Sequence, residues 1–282
     1  MAGRVAIVTD STAALPQDWA ARLGVTVVPM RLRIGDREID EDRATPEMLL
    51  SALRDQVPVS TSPPPPPAFY WAYRDAIARG AQAIVSIHIS GRLSKTCESA
   101  QAAAEQVPVP VHVVDSRWGG MGLGYAALAG AEAALAGASL EQVLEVVHRR
   151  CHDGRVLLYV DTLEHLRRGG RIGRAQALLG AALAIKPLLS LEDGEIVPVD
   201  KVSGSNRALH RLEEIALKHV GDRPVDLAVE YFDTPDRAAA LARRLRAKLP
   251  SVRATHVGIG STTIGAHLGP GALGVTVSPV AP

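Results

Sequence analysis

RVAIVTDSTAALP, residues 4–16, decides the fold class. Arg4 to Val8 is a short apolar run, and it ends in the polar turn Thr9-Asp10-Ser11-Thr12. A helix follows, with Pro16 near its first turn, where a missing N–H costs nothing, and a stop near Gly24. This strand, polar loop and helix recur along the first half. Val25 to Ile34 reads as extended, and Thr45-Pro46-Glu47 supplies an N-cap, a first-turn proline and a first-turn acid. From Ala83 to Ser90, Val85, Ile87 and Ile89 alternate with polar neighbours, and Val111 to Val114 is a strand ending in Asp115-Ser116. Ser139 and Gln142 form a capping box ahead of an apolar helical face at Val143, Val146 and Val147. Val156 to Val160 reads as a buried strand. Strands alternating with helices predict a Rossmann-like α/β domain, its parallel sheet covered on both faces, over residues 1–160.

The pattern changes after Asp161. Leu188 to Glu192, then Asp193-Gly194, then Glu195 to Val202 is a strong hairpin signal, because Asp-Gly suits a tight primed turn. Asn206 to His219 reads as a helix, Val225 to Phe232 as a strand, and Thr234-Pro235 opens the next helix. Ala254 to Ile259 and Val275 to Val277 are late strands. The expectation is a second, α+β domain with a mixed sheet over residues 161–282. Pro63 to Pro67 reads as a stiff, extended connector.

Composition narrows the function. With 31 basic and 30 acidic residues there is no broad positive field to attract nucleic acid. Cys97 and Cys151 are the only cysteines, which supports neither a disulfide scaffold nor a metal site and points to reduced thiols. MAGRVAIVTD is too short and strand-like for a signal peptide, so a cytoplasmic location is expected. The uncharged stretch Trp118 to Ala131 falls short of the ~18 residues a membrane helix needs. The uncharged segment after Arg253 is broken by Gly265, Gly269, Pro270 and Gly271, so it reads as strands and loops.

Ligands of open parallel sheets bind beyond the carboxyl ends of the strands. Those ends carry hydroxyls here, at Thr9 to Thr12, Ser90 to Thr96 and Asp115-Ser116, and Thr61-Ser62 adds two more. Hydroxyls suit a carboxylate or phosphate because they donate without carrying charge, and they also suit helix capping. Gly258 to Gly271 is the most unusual stretch, with His267 among closely spaced glycines that let backbone pass near a ligand. DTLEHLRRGGRIGR, residues 161–174, is either a solvated basic face or a clamp on an acidic ligand or partner. There is no GxxxxGK[ST], HExxH or GxSxG, and Gly122 to Ala127 matches GxGxxA only loosely. Ser94 with His267 offers a nucleophile and base for an acyl hydrolase, without an evident third group.

Taken in order, these stretches resemble the DegV family. The likeness is carried by IVTDSTAALP (7–16), TSPPPP (61–66), SGRLSKTCESA (90–100), VVDSRWGGMGLG (113–124), DTLEHLRRGGRIGRAQALLGAALAIKPLL (161–189) and GAHLGPGALGV (265–275). The resemblance implies a non-enzymatic protein that holds a long-chain fatty acid between its two domains, with no cofactor and no metal. It implies carboxylate contacts at Thr61, Ser94 and His267, with Arg171, and with it Ser62 and Gly170, near the pocket or a partner surface. It further implies an ATP-binding fatty acid kinase subunit as partner, to which the bound carboxylate is presented. One departure bears on that partner: after Lys201-Val202, where many members carry an arginine, this chain has Ser203, with Arg207 four residues on. A stand-alone lipid carrier or sensor is the alternative. Burial of an acyl chain of about sixteen carbons supplies on the order of 10 kcal/mol before association costs.

Overall fold

Val5–Asp10 forms strand β1, buried along almost its whole length on both faces, as a central parallel strand must be. The computed structural model describes residues 4–180, 185–220 and 223–280. After β1 come α1 (Gln17–Leu23), β2 (Thr26–Val28), β3 (Arg31–Ile34), β4 (Arg37–Asp40), α2 (Pro46–Arg54), β5 (Val59–Ser62) and α3 (Pro66–Ala78). Then follow β6 (Ala83–His88), α4 (Thr96–Ala104), β7 (Val111–Asp115), α5 (Met121–Leu135), α6 (Leu140–Asp153), β8 (Arg155–Tyr159) and α7 (Glu164–Arg168). The last third holds β9 (Ile185–Glu192), β10 (Glu195–Ser203), α8 (Ser205–Val220), β11 (Val225–Tyr231), α9 (Pro235–Lys248), β12 (Val252–Ile259), α10 (Thr262–Leu268) and β13 (Leu273–Pro279).

Three sheets result. The first is parallel, in the order β2-β1-β6-β7, and matches the Rossmann-like expectation. The second is mixed, in the order β10-β9-β8-β13-β11-β12, with only β11 and β12 parallel. Its hairpin turns at Asp193 and Gly194, both at positive φ (48° and 81°), the conformation an Asp-Gly primed turn requires. The strand read as Val156 to Val160 is β8, and it pairs antiparallel with β9 and β13. The change of sheet therefore falls at Gly154, between α6 and β8, a few residues ahead of 160.

The third sheet, β4-β3-β5, is small and antiparallel, and sequence patterning does not announce it. The extended run Val25 to Ile34 is not one strand. It breaks at Pro29-Met30, so that β2 joins the parallel sheet and β3 starts the small one. Proline has no N–H to give a ladder, which makes Pro29 a natural place to leave one sheet for another. The proline run also divides. Pro65 is extended at φ −71°, ψ 155°, while Pro66 and Pro67 already occupy the first turn of α3, which buries Phe69 and Tyr73.

The two larger sheets share one core. Ile7, Val85 and Ile87 of the first pack with Val156, Leu158, Leu189 and Leu191 of the second, through Leu123 and Ala127 of α5. The loose GxGxxA motif lies inside this helix, and its glycines serve packing. A Cβ on Gly122 would meet the Val156 side chain at 2.5 Å, and one on Gly124 would meet the Ala13 carbonyl oxygen at 2.6 Å.

Candidate functional site

A cavity opens between the parallel sheet, the mixed sheet and α10. Its walls are apolar: Met30, Ile89 and Leu93 on one side, Val156, Leu158, Leu191 and Ile196 on the other, and Ile264 and Leu268 from α10. It encloses about 960 Å³ of atom-free space, its open mouth included. Thr61, Ser62, Ser94, Arg171, Glu230 and His267 add polar groups to this lining.

The helix α10 corrects the expectation of strands and loops in the glycine-rich stretch. Ser261 caps it by accepting from the Ile264 N–H at 3.3 Å. Gly265 is compatible with helix, and it is required here because a Cβ would lie 2.1 Å from the Phe232 ring. His267 in the last turn is therefore packed, not loosely held. A Cβ on Gly169 would sit 2.1 Å from its Nδ1, and one on Gly269 would sit 2.2 Å from the His165 ring. The glycines after α7 and after α10 each make room for the other helix's histidine.

His267 Nε2 lies 2.8 Å from Thr61 Oγ1, across 206 residues of sequence. Its Nδ1 is buried without a partner. Burial, then the nearby Arg171 charge, lowers the His267 pKa to about 4, so the imidazole is neutral near pH 7. With the proton on Nε2, His267 donates to Thr61, and the Thr61 hydroxyl is left to donate into the cavity. Arg171 is held by two backbone carbonyls: Nε donates to Leu93 at 3.0 Å and Nη1 to Gly169 at 2.7 Å. Neither of these bonds goes to a carboxylate, and among the described residues Arg171 has no ion pair, so its charge stands beside the cavity.

Ser94 is buried and lines the cavity, with its Oγ 2.9 Å from Thr96 Oγ1. That contact, and the Thr61 contact of His267, leave Ser94 and His267 without the mutual hydrogen bond a hydrolase pair needs. Ser62 lies on the lining and is otherwise exposed. Gly170 is a turn residue at φ 66° and lies off the cavity lining. The other hydroxyls at strand ends cap and brace the fold. Thr9 donates to Ile87 O, Ser116 to His88 O, and Ser90 to Gly194 O across the two larger sheets. Asp10, fully buried, accepts from the Thr12 and Ile89 N–H groups and faces His88, which continues through Ser86 to Tyr73. Burial pushes both thiols, Cys97 and Cys151, up to about 12, so they stay protonated.

Two glutamates escaped the sequence analysis. Glu41, 8% exposed, accepts from Ser261 Oγ (2.6 Å), Thr262 Oγ1 (3.0 Å), the Thr263 N–H (2.9 Å), Thr263 Oγ1 (2.8 Å) and Ser11 Oγ. It ties the end of β4 to the first turn of α10. Its neighbours Asp40 and Asp42 make it one acid among several in sequence, and nothing local distinguishes it. Glu230, also 8% exposed, lines the cavity and, among the described residues, accepts only from the Met121 N–H, at 2.9 Å. It does carry a sequence signal: an acid inside the apolar strand Val225 to Phe232. Burial raises its pKa to about 7, against a small opposing effect of the Met121 N–H.

Among the described residues, no group of three or more His, Cys, Asp or Glu side chains could hold a metal ion, and no helix is long and apolar enough to cross a membrane.

Fold and cavity together define a class: α/β proteins with a parallel and a mixed sheet on one core and, between them, an apolar cavity whose lining adds hydroxyls, an imidazole, a guanidinium and a carboxyl. The family model described as uncharacterised protein, DegV family, matches residues 4–280, and the chain belongs to the DegV family. A DegV domain-containing protein of Streptomyces coelicolor is 48% identical over 279 residues, covering 99% of both chains. A DegV domain-containing protein of Deinococcus radiodurans is 37% identical over 284 residues, covering 98% of this chain and 99% of its own. Among solved structures, a fatty-acid-binding DegV family protein from Thermus thermophilus superposes with a TM-score of 0.93 at 35% identity, covering 98% of this chain and 100% of its own. DegV from Bacillus subtilis, described as a fatty acid binding protein, gives 0.88 at 29% identity, covering 99% and 100%.

Proposed function

We propose that this chain binds one long-chain fatty acid in the cavity between its sheets and presents the carboxylate to a separate ATP-dependent kinase subunit. The observation that carries the binding reading is the composition of the cavity: long apolar walls, with Thr61, Ser94, His267 and Arg171 on its lining and no carboxylate hydrogen-bonded to any of them. Apolar walls suit methylenes, and a carboxylate removed from water needs fixed donors. Thr61 and Ser94 offer hydroxyls, His267 holds Thr61 in place, and Arg171 supplies the compensating charge. The fatty-acid-binding relatives from Thermus thermophilus and Bacillus subtilis support the same ligand class.

Native mass spectrometry of the purified protein, followed by organic extraction, tests binding. A stoichiometric co-purified fatty acid is expected. A protein that is empty and takes up no added fatty acid overturns the reading. Presentation is tested by adding a fatty acid kinase subunit and ATP and trapping acyl phosphate as the hydroxamate. Product from the loaded protein supports it, and a loaded protein that yields none is a stand-alone carrier. What favours that second reading is Ser203, which ends β10 at a position where the resemblance to the family implies an arginine.

A further inference from the structure

The strand β11 carries two buried acids four residues apart, hence on the same face, and they are treated differently. Asp226 is fully neutralised: Arg150 Nη2 donates to it at 2.5 Å, and Arg253 donates through Nε at 2.8 Å and Nη2 at 2.6 Å. Glu230 has no such partner among the described residues. One oxygen, Oε2, accepts from the first N–H of α5, at Met121. That contact explains half of the group, as a helix-end acceptor. The other oxygen, Oε1, has no hydrogen bond from the protein and belongs to the cavity lining.

The surroundings of Glu230 are shaped to leave it open. A Cβ on Gly120 would sit 2.6 Å from Oε2, one on Gly260 3.6 Å from Oε1, and one on Gly274 3.7 Å from Glu230 Cβ. Backbone without side chains therefore borders the carboxyl on several sides, and the nearby lining hydroxyls of Ser261 and Thr263 donate to Glu41 instead. Gly260, beside the carboxyl, precedes the first turn of α10, and His267 lies in its last turn, so the carboxyl and the imidazole meet the cavity near opposite ends of this helix. An acyl chain anchored at Thr61 and His267 would pass Glu230 partway along its length, not at its head. A saturated methylene there would leave a desolvated carboxyl oxygen unpaired, which is unfavourable.

We propose that Glu230 is a second polar contact for the bound lipid, selecting an acyl chain that carries a hydroxyl group along its length over an unsubstituted one. The inference rests on the fatty-acid reading above and adds the substrate class. The hydroxyl donates to Oε1, and when the carboxyl holds its proton the hydroxyl oxygen accepts in return.

The test measures dissociation constants of octadecanoic acid, of its mid-chain hydroxy derivatives and of its derivative hydroxylated next to the carboxyl. The proteins are wild type, Glu230→Met and Glu230→Gln. Wild type is expected to bind a mid-chain hydroxy acid about tenfold more tightly than the plain acid, with no gain from a hydroxyl beside the carboxyl. Glu230→Met is expected to lose that preference and to bind the plain acid more tightly, while Glu230→Gln retains the preference. Equal affinity for plain and mid-chain hydroxy acids in wild type, or a preference that survives Glu230→Met, overturns the proposal while leaving fatty-acid binding in place. Failure of every acid to bind wild type overturns the fatty-acid reading itself.

Discussion

Glu41 and Glu230 are equally buried, and their surroundings could hardly differ more. Glu41 sits among five donors from Ser11, Ser261, Thr262 and Thr263. Glu230 has one, the Met121 N–H, and its remaining oxygen meets the cavity. A buried carboxyl surrounded by donors holds parts of a fold together, because removing it orphans every donor at once. A buried carboxyl left short of donors is a cost to the empty protein, and a ligand group can relieve it. The region around Glu41 is thus the brace that fixes α10, and the region around Glu230 is a part of the cavity with unused bonding capacity.

The largest effect expected to bear on this contrast is loss of the brace. Glu41→Ala leaves several donors unpaired and should cost about 3–5 kcal/mol, a fall in Tm of roughly 6–15 °C. Chemical and thermal unfolding measure it. It should also weaken fatty-acid uptake, because α10 carries His267. A cost below about 1 kcal/mol would erase the distinction between the two glutamates.

Next in size is the pH dependence of stability. Glu230 is raised from 4.5 to about 7, so the folded protein holds this proton more tightly than the unfolded chain; stability is full below 4.5 and falls as pH rises through 7. His267 is lowered from 6.5 to about 4, so its contribution is full above 6.5 and is lost as pH falls through 4. Between 4.5 and 6.5 the two slopes oppose each other. Glu230→Gln should leave a stability that climbs with pH over this window by about 2–3 kcal/mol, and His267→Gln one that declines by a similar amount. Identical pH profiles for wild type and both variants would mean that neither group is desolvated as described.

Smaller in energy is the loss of a group from the proposed carboxylate anchor. His267→Ala and Ser94→Ala should each weaken fatty-acid affinity about tenfold or more while each variant still unfolds in a cooperative transition. Isothermal titration or fluorescent fatty-acid displacement reads the effect. Unchanged affinity in both variants removes Thr61, Ser94 and His267 as the anchor. The smallest effect belongs to Gly170. It has positive φ and nothing within 4 Å of a would-be Cβ, so Gly170→Ala should cost about 1 kcal/mol through backbone strain alone and leave binding intact. A large loss of binding in that variant would bring Gly170 into the site.

Legibility in the sequence followed the range of the interaction. The Ser139 capping box, the Thr45-Pro46 helix start and the Asp193-Gly194 turn are set by contacts within a few residues, and each forms as read. The small sheet was missed because Arg31–Ile34 and Arg37–Asp40 mix charge with apolar residues, so neither run shows a buried face. The glycine-rich stretch reads as strands and loops because glycine and proline usually disfavour helix. It forms α10 because Phe232 needs the space at Gly265 and Glu41 holds the first turn, neither of which is visible locally.

The sequence by itself determined a parallel α/β half followed by a mixed-sheet half, and its likeness to the DegV family is what pointed to Thr61, Ser94, His267 and Arg171. Periodicity, caps and turns are local, whereas hydroxyls and a histidine suit helix caps as well as a ligand, so no residue type marks a site by itself. Only the tertiary structure decided that Thr61 meets His267 across 206 residues, that His267 is neutral, and that Glu41 is satisfied while Glu230 is not. Those facts depend on which donors and charges lie within a few ångströms once the two sheets close, and distance in space is what a list of residues does not carry.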